Sequence, residues 1–103
     1  MAIETSRWDA ADHIDTPEKV AAYLEAIFED GDPALITAGL GDIARSRGMS
    51  AIAREAGVTR EALYKALSSD GDPRLSTLIG VIKAFGLRLS VTSSRPYTPD
   101  SVR

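Results

Sequence analysis

The sequence predicts an all-α domain of five helices closed by one short C-terminal β-strand. Three observations carry that expectation. Apolar residues recur at three- and four-residue spacings in successive stretches between residues 16 and 85. Helix punctuation falls between those stretches, at Thr16-Pro17, Gly31, Asp32-Pro33, Gly57 and Gly86. After Gly86 the period drops to two, in Leu87-Arg88-Leu89-Ser90-Val91-Thr92, the mark of a half-buried strand.

A chain of 103 residues suits one small domain that holds a modest core without staples. Apolar content of 44% and charged content of 26% are ordinary for a soluble globular protein. The absence of cysteine excludes disulfides and thiol chemistry and fits a reducing compartment. No apolar run is long enough to cross a bilayer, and the first residues lack the regions of a signal peptide, so a cytoplasmic protein is expected.

Residues 1–15 form a polar N-terminal arm with Ile3, Trp8 and Ile14 as its sizeable apolar groups. Asp9 is placed to cap a single turn over residues 10–13, and Trp8 either covers the edge of the core or anchors a partner. The domain proper spans residues 16–92. Its first helix opens on Thr16-Pro17-Glu18, a capping threonine, a proline at the first helical position and an acid in the first turn. Val20, Tyr23, Leu24, Ile27 and Phe28 make its inward stripe, and Gly31 ends it. Asp32-Pro33 repeats the start signal for a second helix over residues 34–47, with Leu35, Ile36, Leu40, Ile43 and Ala44 inward. Gly39 and Gly41 inside it each cost about 1 kcal/mol against alanine, which points to close helix packing there.

Residues 49–67, MSAIAREAGVTREALYKAL, read as two short helices joined at Gly57. Ile52, Ala53 and Ala56 face inward from the first, Leu63, Ala66 and Leu67 from the second, and Val58 closes the corner. Gly57 takes the left-handed conformation at the stop, and Thr59 caps the second helix. This is a helix-turn-helix pattern, whose second helix lies in the DNA major groove. With Leu63 and Leu67 inward, Thr59, Arg60, Glu61, Tyr64, Lys65 and Ser68 face solvent. Arg60 suits guanine O6 and N7 or a phosphate, Thr59 and Tyr64 suit thymine methyls or the sugar-phosphate edge, and Lys65 suits a phosphate. The competing reading is a helical hairpin with an ordinary charged wet face. Residues 68–73 are dense in turn formers and make a loop; a last helix comes next over residues 75–85, with Leu75, Leu78, Ile79, Ile82 and Phe85 inward. The tail, residues 93–103, is predicted to be disordered.

A lone strand leaves a row of unpaired N–H and C=O groups. Pairing of residues 87–92 with the same segment of a second copy, through Leu87, Leu89 and Val91, gives a two-fold homodimer whose recognition helices meet successive major-groove turns; a pairing with residues 3–8 is the alternative. The net charge of −3 divides unevenly. Residues 1–32 carry nine acids against Arg7 and Lys19, a balance of −7, and residues 33–103 carry ten bases against six acids, a balance of +4. The front end therefore suits a basic partner and the remainder suits phosphate.

Catalytic chemistry finds no foothold. His13 is the single histidine, so no metal site or triad assembles from it. Glu29, Asp30 and Asp32 flank a helix junction where Asp32 caps, and Gly39-Leu40-Gly41 lacks phosphate-loop spacing. No enzyme activity, metal or cofactor is expected.

The blocks GDIARSRGMSAIAREAG and LYKALS, with the closing GDPRLSTLIGVIKAFGLRLSV, resemble the short HigA-like addiction-module antidote proteins, helix-turn-helix proteins of the lambda-repressor (XRE) type. The resemblance spans residues 8–91. It implies a five-helix lambda-repressor-like domain, a homodimer, and repression of its own operon through an operator. It also implies a partner, a basic RelE- or HigB-like toxin that cleaves mRNA until covered. The DNA-facing set it implies is Thr59, Arg60, Glu61, Tyr64, Lys65 and Ser68; Arg47 and Ser50, at the start of the motif, are expected to join it, and in the acidic arm Trp8, Asp9 and Asp12 are expected to face the toxin. Two other functions stay open: a stand-alone prophage-type regulator, and a protein-interaction adaptor that has lost DNA binding, which Glu61 on the presumed DNA face favours.

Overall fold

The start of the first helix is fixed by one hydroxyl. Thr16 is extended and its side chain accepts from the Lys19 backbone N–H at 3.2 Å, with Pro17 next in line. The computed structural model describes residues 15–94, and in it α1 runs Pro17–Asp30, stopping at left-handed Gly31. Asp32 then accepts from the Ala34 N–H at 3.0 Å to begin α2, Pro33–Arg47. The remaining helices are α3, Met49–Ala56, α4, Arg60–Ala66, and α5, Leu75–Ala84.

Helix α3 is the hub. It packs most extensively on α5 and also touches α2 and α4, while α1 lies on α2. Val20, Leu40, Ile43, Leu63, Val81 and Phe85 are sealed from solvent around it. Full burial of each such side chain is worth about 1.5–3 kcal/mol. The expected glycine contacts are present. A Cβ on Gly39 would stand 2.5 Å from the end of Ile27 on α1, and one on Gly41 3.0 Å from the Leu67 carbonyl at the end of α4. Tyr23 closes the α1–α2 seam. Burial, and secondarily the charge of Asp42, pushes its hydroxyl above the ordinary phenol range, so it stays neutral.

Three sequence expectations need correction. Leu35 is 44% exposed on α2, and Leu75 and Ile79 are 68% and 39% exposed on α5. The reason is shared. Each stands two residues before a buried one (Thr37, Thr77 and Val81), which is roughly 200° around a helix. The inward row of α5 is Thr77, Val81 and Phe85 with Ile82 beside it, because Gly80 brings the helix backbone against Ala56 of α3; a Cβ there would lie 2.9 Å from the Ala56 Cα. The third correction concerns residues 87–92. No β-strand occurs among the described residues. A strand exists through the ladder bonds of a partner, and among the described residues it is Leu87 that is held: its N–H donates to the Ile82 carbonyl and its side chain packs on the core. Leu89 is exposed and Val91 is 96% exposed.

Candidate nucleic-acid interface

Helix α4 has seven residues, well below the length at which an isolated helix holds in water. It persists because both ends and one face are fixed. At its start the Val58 N–H donates to the Ala53 carbonyl at 3.0 Å and the Gly57 N–H to the Arg54 carbonyl at 3.2 Å, with Gly57 at φ 79°. Those two bonds satisfy the last carbonyls of α3 and turn the chain sharply. Thr59 then accepts from the Ala62 N–H at 3.0 Å. Leu63 and, just past the helix end, Leu67 are buried in the core. Both Ala66 and Val58 are half-buried, so the corner has the inward face its apolar spacing predicts.

The opposite face carries the expected polar set in solvent: Thr59, Arg60, Glu61, Tyr64, Lys65 and Ser68 are all exposed. Ser50 is exposed in the first turn of α3, and Arg47 is half-buried in the last turn of α2. Two hydroxyls are already bonded to the backbone, Thr59 as a cap and Ser68 as a donor to the Lys65 carbonyl at 2.8 Å. The Arg60 guanidinium lies 4.8 Å from the centroid of the Tyr64 ring, and its Nη2 donates to the Tyr64 hydroxyl at 3.3 Å. An Arg–Tyr pair four residues apart on a helix is in reach by geometry alone. Arg54, exposed in the last turn of α3, is a further cation outside the expected set; the inward stripe of Ile52, Ala53 and Ala56 already placed it outward.

The other expected surfaces fare differently. Trp8, Asp9 and Asp12 lie outside the described residues. Leu87, Leu89 and Val91 lie on the segment that leaves α5 without forming a strand. That segment and α1 bound an open groove with Leu24, Phe28, Leu87 and Leu89 in it and Glu25 and Glu29 beside it. No cluster of metal-binding side chains occurs among the described residues, and no helix there is long and apolar enough to cross a membrane.

Comparison with known proteins gives the chain its family. An uncharacterised protein of Haemophilus influenzae is 44% identical over 95 residues, which cover 92% of this chain and 98% of that protein. No solved structure matches the chain. Residues 4–93 match the family described as "Probable addiction module antidote protein", and this chain belongs to it.

Proposed function

We propose that this antidote is also a sequence-specific DNA-binding protein that represses its own operon as a homodimer. Its family implies a toxin of some kind as partner; in our reading that toxin is a RelE- or HigB-like mRNA-cleaving protein. The observation that carries the DNA-binding half is the division of α4, where Leu63 is sealed in the core while Arg60, Tyr64 and Lys65 stand in solvent. A short helix presented on a tight turn with bases outward is what a major-groove reader of the lambda-repressor type requires. Residues 88–92, exposed and without ladder bonds, are the surface we assign to pairing with a second copy; in such a dimer the two α4 helices would have to stand about 34 Å apart to meet successive major-groove turns.

The toxin half rests on the family and on charge. Residues 1–32 carry the −7 balance, and charge of that sign favours encounter with a basic partner. Coexpression with the product of the adjacent gene tests it. The full chain should restore growth and copurify with that product, and a chain lacking residues 1–15 should do neither while still binding DNA. Restoration of growth by the shortened chain would remove the arm from the toxin surface. A stand-alone regulator would bind DNA and protect against nothing. For the dimer, Leu89→Arg should give a monomer by light scattering, and a persistent dimer would place the interface elsewhere.

A further inference from the structure

Arg60 occupies an unfavourable place for a cation. It is the first residue of α4, where the helix dipole repels positive charge, and among the described residues no carboxylate lies within ion-pairing distance of it. The ion pairs present there involve other cations: Arg45 holds Asp42 at 2.7 Å and Lys19 holds Asp15 at 3.2 Å. What Arg60 has instead is Tyr64, whose ring face and hydroxyl both meet the guanidinium from the next turn.

We propose that Tyr64 is a positioning residue: it holds the Arg60 guanidinium along α4 so that its remaining donors meet the major-groove edge of one guanine. This rests on the DNA-binding reading proposed for α4. A guanidinium carries five N–H donors in a planar fork, and the Tyr64 hydroxyl takes one. The fork that remains is sufficient for a bidentate contact with guanine O6 and N7. Stacking on the ring also removes side-chain freedom before DNA arrives, so less ordering is left to be done on binding. Tyr64 thus contributes to specificity through Arg60, rather than through a base contact of its own.

The test is selection from a randomised duplex library, then titration of the selected duplex, for the wild-type chain, Arg60→Ala, Tyr64→Phe, Tyr64→Leu and the Arg60→Ala/Tyr64→Leu double variant. Tyr64 is exposed, so these substitutions leave the core intact. Arg60→Ala should weaken binding by about 5- to 150-fold and erase the guanine preference at one position. Tyr64→Leu should relax that same position with a smaller loss, the double variant should be no weaker than Arg60→Ala, and Tyr64→Phe, which keeps the ring, should retain the preference. Multiplying losses in the double variant, or a Tyr64→Leu loss at another position or spread over all sequences, would overturn the positioning role. A Tyr64→Phe variant as relaxed as Tyr64→Leu would overturn the stacking contribution and leave the hydroxyl bond as what holds the guanidinium. A wild-type chain that selects no sequence would instead overturn the DNA-binding reading itself.

Discussion

Helices α1 and α4 begin in the same way and end as opposites. Each starts on a threonine whose hydroxyl accepts from the N–H three residues on, at 3.2 Å for Thr16 and 3.0 Å for Thr59. From there α1 continues for 14 residues, buries Val20, Leu24 and Ile27, and carries Glu18, Glu25, Glu29 and Asp30 against Lys19 on its surface. Helix α4 lasts seven residues, buries Leu63, and presents Arg60 and Lys65 against Glu61. The longer helix has enough buried surface to hold its own position, and its acids stand in solvent. The shorter one is positioned from outside, by the α3 turn and the core, so its whole outer face stays in solvent. In the proposed reading, stability and recognition are divided between two faces of α4 within a single turn of helix.

The largest effects should come from the buried side. Leu63→Ala is expected to cost about 2–5 kcal/mol in urea unfolding, out of a total of roughly 5–15 kcal/mol for a native domain. Leu24→Ala should cost a similar amount, yet only Leu63→Ala should also weaken DNA binding by the molecules that remain folded. Equal DNA affinity in the two variants would erase the contrast between the helices. Next comes Arg60→Ala, with a loss of about 1–3 kcal/mol in DNA affinity and no change in unfolding midpoint. Third is the pair of caps: Thr16→Ala and Thr59→Ala should each cost about 1 kcal/mol of stability, and Thr59→Ala alone should reduce DNA affinity. Lys65→Ala should be the mildest, weakening binding to every duplex alike and flattening the salt slope by about one unit. A base-specific effect there would exchange the roles given to Lys65 and Arg60.

Helix boundaries were legible because their causes are local. Thr16-Pro17, Asp32-Pro33, Gly57-Val58-Thr59 and Gly86 each act within a few residues, and the helices start and stop where those residues require. Which face points inward was legible where one stripe was apolar, as on α3, and ambiguous where two were. Helix α5 carries Leu75 and Ile79 on one side and Val81 and Phe85 on the other, and periodicity alone does not rank them. The choice is made by Gly80 meeting Ala56, a contact between residues far apart in sequence. The strand failed for a related reason: alternation specifies a surface that suits a ladder, whereas the ladder needs another strand. For the candidate site, exposure of Thr59, Arg60, Glu61, Tyr64, Lys65 and Ser68 came directly from the inward positions of Leu63 and Leu67. That Arg60 rests on Tyr64 was not legible, because the spacing permits the contact without selecting it over solvent or Glu61.

The central claim, that the outer face of α4 reads DNA, is tested most directly by titrating the intact chain against a duplex from upstream of its own coding sequence and against a scrambled duplex, at two salt concentrations. Tight binding to the first duplex over the second, with affinity falling steeply as salt rises, is the predicted result. Equal and feeble binding to both would contradict that claim and leave α3 and α4 as scaffold for a protein partner.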